Sequence, residues 1–279
     1  MHTPVNRISF AILLGSMFII AAVSGFAFAP VHTASAARLS IDGSHGSGGG
    51  HKGGGGGFSC PVISGADSSV CSTNWSGYAD TGSTGSVTYV SGSWTVPSLT
   101  CSSSGTQYVA IWVGIDGYSS STVEQTGIMG ECSNGAASYF AWYEFYPNPS
   151  VTISGFTVKG GDSITASVSY SGGVFTTTIT DGSESYSATG TVTNAARNSA
   201  EWIVERPALC IGAHCTLTTL ANFGSATFTS ASATVGGTDG SISSFKDVAI
   251  TMVASSSGPI LAQPTSLSTD GSSFTDNYG

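Results

Sequence analysis

The sequence is short of charge and almost without histidine. Only 8% of its 279 residues are Asp, Glu, Lys or Arg. Beyond residue 57 there are 15 acidic residues against four basic ones, Lys159, Arg197, Arg206 and Lys246, a net charge of −11. Such a surface repels nucleic acid, so no nucleic-acid partner is expected. The same stretch holds one histidine, His214, read as a surface residue. No G-x-S-x-G elbow and no H-E-x-x-H segment occurs, which sets aside the common Ser-His-Asp and zinc hydrolase signatures. No C-x-x-C occurs either, and the histidines do not cluster beside the cysteines, so neither a metal nor another cofactor is expected. No glycine loop leads into a helix, so the many glycines are turn and linker residues. Carboxylates, amides, hydroxyls and aromatic rings remain to carry any chemistry.

The chain divides into three parts by composition. Residues 1–36 read as a secretory signal: Arg7 supplies the positive end, Ile8 to Ala29 is apolar, and Ala34-Ser-Ala36 is an A-x-A exit. The rival reading of this run is an uncleaved membrane anchor. The small-residue exit favours cleavage, an extracellular product and no stable membrane association. Residues 37–69 form a glycine-rich linker or a short pro-segment, because 43–57, GSHGSGGGHKGGGGG, have almost no side chains to bury. Residues 70–279 are long enough for one packed domain.

That domain alternates with period two. Strands are expected at Val87–Val96, Tyr108–Ile115, Ser138–Tyr146, Ser163–Tyr170, Val174–Thr180, Glu201–Glu205, Ala226–Ser230 and Val248–Val253. Turn signals such as Gly160-Gly-Asp162, Asp181-Gly182 and Asp239-Gly240 separate them. No long helical pattern intervenes, so the fold class is all-β, a sandwich or barrel. The six cysteines all follow the signal, an even number that suits disulfides in an exported chain. Cys210 and Cys215 close a small loop. Cys60, Cys71, Cys101 and Cys132 allow more than one pairing, Cys60–Cys71 with Cys101–Cys132 among them. Few lysines and many Ser, Thr and Gly suit an acid-exposed protein, since protonating the carboxylates leaves little positive charge to repel itself.

Three polar side chains stand out on or beside apolar strands. Glu205 ends Trp-Ile-Val, Glu144 sits within Ala141-Trp-Tyr-Glu-Phe-Tyr-Pro147, and Gln125 lies in Glu124-Gln-Thr-Gly127, after a serine-rich turn. A carboxylate among such neighbours must be hydrogen-bonded, shifted in pKa or at work. Glu201 reads as a solvated face residue.

Asn74-Trp-Ser-Gly-Tyr78, Ser93-Trp-Thr-Val-Pro97, Trp112-Val-Gly-Ile-Asp-Gly117 and Ala200-Glu-Trp-Ile-Val-Glu205, with the Gln125 and Glu144 segments, resemble in order and spacing the eqolisins, the acid-acting glutamic peptidases. The resemblance implies a jelly-roll-like sandwich of two large antiparallel sheets. It puts the catalytic glutamate at Glu205 and the catalytic glutamine at Gln125. Trp75, Gly77, Trp112, Tyr143 and Tyr146 would line the cleft, with Asp116 and Glu144 as supporting or subsite groups. A Cys210–Cys215 disulfide would tie the loop beyond Glu205. Two positions depart from the fungal members: Phe140 replaces an aspartate and Pro207 replaces a phenylalanine, which alters subsite shape and polarity. The Asn74-Trp-Ser76 glycosylation sequon falls inside a cleft motif and is read as unused.

The expectation is therefore a secreted, monomeric, metal-independent acid endopeptidase acting on extended polypeptide. Two rivals are a sandwich glycoside hydrolase using Glu144 and Glu205 and a non-catalytic carbohydrate-binding sandwich.

Overall fold

A computed structural model describes residues 38–40, 60–211 and 214–279. The expected signal and the glycine tract at 43–57 lie outside the described residues, as does the side chain of His214. Among the described residues one 3-10 turn, Ile242–Ser244, is the only helical element, and no helix is long and apolar enough to cross a membrane.

Strands form two large sheets. The first runs Ala136–Tyr146, Val123–Ser133, Thr106–Ile115, Ser199–Glu205, Trp75–Thr81, Lys246–Val253, all antiparallel, with Ser68–Ser72 parallel at the edge. The second runs Glu184–Gly190, Val174–Asp181, Ser163–Ser171, Val87–Thr95, Ser225–Val235, Phe274–Tyr278, Ile260–Pro264, antiparallel throughout. Ile260–Pro264 also pairs with the end of Lys246–Val253, so the sheets are continuous along one side. Joining two edges this way removes unpaired backbone groups that would otherwise invite aggregation.

All eight strands expected from the alternation are present, most with one to three residues added at an end. Others were not anticipated, and three of these, Ser68–Ser72, Trp75–Thr81 and Val123–Ser133, belong to the first sheet.

The core lies between the sheets. Trp202, Val204, Ile111 and Val113 from the first pack with Val90, Trp94, Val168, Phe175 and Phe228 from the second. Each such side chain, fully buried, contributes about 1.5–3 kcal/mol. The Trp202 indole N–H donates to the Ser91 carbonyl at 2.7 Å, fixing one sheet over the other. Gly92 makes room for it: a Cβ there would stand 2.9 Å from Trp202 Cδ1. Disulfides join Cys60 to Cys71, Cys101 to Cys132 and Cys210 to Cys215.

Candidate active site

Side chains alternate across a strand, so the register decides which of them share a face. Because Trp202 and Val204 point into the core, Glu201, Ile203 and Glu205 point out of it. Opposite those three on one side lie Gly114, Trp112 and Ala110; on the other lie Ala79, Gly77 and Trp75. One strand further, Gly114, Trp112 and Ala110 face Gln125, Gly127 and Met129. Beyond those come Glu144, Trp142 and Phe140. The outer face of the first sheet thus collects Glu205, Gln125, Glu144 and three tryptophans from five adjacent strands.

Trp112 occupies the middle of this array. Glu205 is level with Ala110 and Gln125 with Gly114, so Trp112 stands between the two levels on the shared strand. Its indole N–H donates to Glu205 Oε2 at 2.9 Å. The far edge of its ring reaches the space above Gly114: a Cβ on Gly114 would lie 2.9 Å from Trp112 Cζ3 and 3.1 Å from Gln125 Cβ. A Cβ on Gly127 would overlap the Ile111 carbonyl oxygen and crowd Trp112. These glycines are what let a large ring lie against the sheet. Trp75 meets Trp112 edge to face, centroids 5.0 Å apart, a favoured aromatic geometry.

Gln125 donates from Nε2 to Glu144 Oε2 at 2.7 Å. The carboxylate decides which way the amide is turned, because its oxygens attract the NH2 end and repel the carbonyl end. Gln125 Oε1 has no hydrogen-bond partner among the described residues. Glu205 and Gln125 have no exposed surface and Glu144 is 1% exposed. Half-buried Tyr108, Tyr118, Phe140 and Tyr146 pack against the same cluster and form its rim.

Most of the anticipated residues come together here: Glu205, Gln125, Glu144, Trp75, Gly77, Trp112 and Tyr146. Tyr143 does not. It is one residue out of phase with Glu144 and Tyr146, so it points to the opposite face, where its ring lies against Phe145 and Tyr186. Asp116 follows the end of its strand with φ +69°. Its carboxylate accepts the backbone N–H groups of Arg197 (2.6 Å) and Asn198 (3.0 Å) and the Thr122 hydroxyl (3.4 Å). It holds two turns together and does not line the cleft.

Glu201 also corrects the sequence reading. It is wholly buried, not solvated, because its strand is central and the turn after Asp116 covers it, the Tyr118 N–H donating to its Oε1 at 3.4 Å. Burial, with smaller contributions from Asp116 and Glu124, holds its carboxyl protonated well above the usual range. Trp142 and Met129 were missed; the period-two pattern through Glu144 and Gln125 points to both. Asn74, in the sequon, is 2% exposed and accepts from the Ser72 hydroxyl, so the folded chain has no room for a glycan there.

A surface depression lies elsewhere. About 520 Å³ in volume, it sits on the second sheet and is lined by Ser93, Thr95, Ser163, Ser225, Thr227 and Thr229 among others. Its hydroxyls offer no acid or base.

The sandwich thus gathers two glutamates and a glutamine around tryptophans on one outer face of its first sheet. The chain belongs to the peptidase A4 family, which it matches over residues 73–278. It is 35% identical over 200 residues to Aspergillopepsin-2 of Aspergillus niger, covering 63% of this chain and 69% of that one. Among solved structures it resembles scytalido-glutamic peptidase bound to a transition-state analogue inhibitor. The TM-score is 0.64 and the identity 27%, covering 74% of this chain and 98% of that one. SCP-B, a member of the eqolisin family of peptidases in complex with the tripeptide Ala-Ile-His, matches with TM-score 0.61 and 26% identity over the same shares. The protein is accordingly a glutamic-type endopeptidase that hydrolyses peptide bonds. The carbohydrate-directed readings are not favoured.

Proposed function

We propose that Glu205 and Gln125 divide the hydrolysis between them. Glu205 removes a proton from a water molecule as that water attacks the scissile carbonyl carbon. The carbonyl oxygen becomes an oxyanion, to which Gln125 donates its second N–H. Glu205 then returns the proton to the departing amine as the C–N bond breaks. Near its reference pKa of about 4.3 a glutamate can do both, whereas a carboxamide does not titrate and keeps its role at any pH. The observation that carries this reading is the pair of hydrogen bonds flanking Trp112. Its indole N–H orients the Glu205 carboxylate, and Glu144 turns the Gln125 amide so that an N–H is presented.

The substrate is polypeptide in extended form, entering past the tyrosine rim, and the enzyme works in acid after export. The low lysine content and the signal-like N-terminus support this setting. The purified protein should hydrolyse denatured casein near pH 3–4, a range taken from the glutamate reference value of about 4.3. Glu205→Gln and Gln125→Ala should each abolish that activity while the fold persists. Full activity in either folded variant defeats the assignment.

A further inference from the structure

Beyond Glu205 the chain leaves the large sheet and forms a small one of its own. Ala208–Ile211 and His214–Leu217 make a hairpin closed across its middle by Cys210–Cys215. Its base is fixed by Thr218, whose N–H (2.9 Å) and hydroxyl (2.8 Å) both donate to the Pro207 carbonyl. On the open side of Ala208–Ile211 lies a third strand, Arg38–Ser40, from the segment that precedes the domain. Exposed strand edges are normally blunted by charge, proline or a bulge. Ala-Leu-Cys-Ile has none of these, so its edge is chemically ready to accept any extended backbone.

The register gives this edge a direction. Arg38 faces Cys210, Leu39 faces Leu209 and Ser40 faces Ala208. A chain in this register runs, N- to C-terminus, toward Glu205, three residues before Ala208. Pairing cannot continue to Glu205 itself: Pro207 has no N–H, and the Arg206 N–H already donates to the Asn74 carbonyl at 2.7 Å. A peptide on the edge must therefore leave it after Ala208, three residues along the chain from Glu205.

We infer that the free edge of Ala208–Ile211 is a strand-addition site for extended polypeptide, taking substrate residues N-terminal to the cleaved bond, and that Arg38–Ser40 fills it in the full-length chain. This rests on the peptidase reading above. It adds a main-chain recognition site whose ligand class is any extended, unfolded polypeptide, and it makes the chain's own upstream segment a competitor for that site.

The test compares the full chain with its Leu39→Pro variant, which cannot hold the middle of the added strand. Successive N–H groups of a strand point to opposite sides, so one of Leu209 and Cys210 faces Arg38–Ser40; its amide hydrogen exchange should be slow in the parent and fast in the variant, while its neighbour's stays slow in both. With a fluorogenic substrate carrying six residues before the cleaved bond, Leu39→Pro should raise kcat/KM roughly tenfold, the effect of losing one or two competing backbone hydrogen bonds. A substrate shortened to two residues before the bond should gain little. The synthetic peptide Ala-Arg-Leu-Ser-Ile-Asp, added to the variant, should raise KM for the long substrate and leave kcat unchanged; the same peptide N-methylated along its backbone should not. Unchanged exchange at 208–211, or hydrolysis indifferent to the variant and to the peptide, overturns the inference. Absence of hydrolysis in every form strikes instead at the peptidase reading, and the exchange measurement still decides whether the edge is occupied.

Discussion

The two sheets share strand length, pairing and connection style, yet their outer faces have opposite chemistry. On the second sheet hydroxyls pair across strands, Ser91 with Ser232 at 3.0 Å, Ser93 with Thr165 at 2.7 Å, Thr178 with Ser187 at 2.9 Å and Thr227 with Thr275 at 2.9 Å, while the Thr229 hydroxyl donates to the Ser93 carbonyl. Solvent covers this face, and its strands read buried–exposed in strict turn. On the first sheet, Ser199–Glu205 is buried at every residue and Val123–Ser133 at nearly every one. There the outward positions hold tryptophans, glycines and the three polar groups of the site. A sheet stabilised from one side leaves its other face open to specialisation; here one became an inert hydroxyl surface and the other a dry chemical one.

That difference explains what the sequence made legible. One-sided strands alternate, so the second sheet was readable from periodicity. Val123–Ser133 was not: with both faces covered, Glu-Gln-Thr-Gly shows no alternation, and Gly127 is there to make room for Trp112 and its backbone rather than to favour a strand. Trp75–Thr81 escaped for the same reason, with Gly77 at φ +136° because a Cβ would overlap the Trp202 carbonyl. Glu205, Gln125 and Glu144 were singled out through several separated motifs acting together, and the register sets all three on one face. Tyr143 was misplaced although period two alone separates it from Tyr146. Glu201 was misread because nothing local in Ala-Glu-Trp reveals that a distant turn covers it.

The sharpest way to break the contrast is to remove chemistry from the first sheet without removing volume. Glu205→Gln keeps the shape and an acceptor for the Trp112 N–H but can no longer take a proton. General acid–base roles are worth on the order of 10²–10⁴ in rate. The variant should lose about that much in kcat on a peptide substrate, with KM and melting temperature near the parent's. Unchanged kcat would move the base elsewhere.

The dry interior carries a second, thermodynamic signature. Burial, and next the charge of Asp247 directly opposite in register, pushes the Asp80 carboxyl up to about 9. Burial and then Asp116 push Glu124 to about 9, and burial pushes Asp276 to about 8. Both Asp80 oxygens lack a hydrogen-bond partner among the described residues. Each of these acids holds its proton in the folded state and releases it in the unfolded one above the reference values near 4. Their stabilisation is therefore complete below about pH 4 and declines as pH rises through the window up to 8–9. Melting temperature measured on the inactive Glu205→Gln protein, so that self-digestion does not interfere, should fall steadily from pH 4 to pH 8. Asp80→Asn should flatten the slope by one acid's share. A flat profile would mean these groups are hydrated.

Trp112→Phe probes the link between the two levels of the site. It keeps the aromatic floor and deletes an N–H aimed at Glu205. A hydrogen bond to a charged group is worth about 1.5–3 kcal/mol, so kcat should drop roughly tenfold to a hundredfold. The acid limb of the pH–rate profile should move upward, because the lost donor stabilised the ionised carboxylate. A loss of activity with no movement of that limb would make Trp112 a packing residue only.

The smallest effect belongs to the hydroxyl face. Thr165→Val or Thr227→Val removes one member of a hydroxyl pair where water can replace it, so stability should change by less than about 0.5 kcal/mol and kcat/KM not at all. The same deletion of a single polar group on the first sheet, Thr126→Val, takes away a 2.8 Å hydrogen bond to the Trp142 carbonyl at a position 1% exposed. It leaves that carbonyl without its side-chain donor where solvent does not reach, a cost of about 1–3 kcal/mol. Denaturant midpoints of the three variants measured side by side would test the contrast directly. Thr126 is level with Val113 and Tyr143 and so lies on the inner side of its sheet; equal losses from Thr126→Val and Thr165→Val would mean that water reaches the interior between the sheets as readily as the hydroxyl face, and that the sandwich is not dry inside.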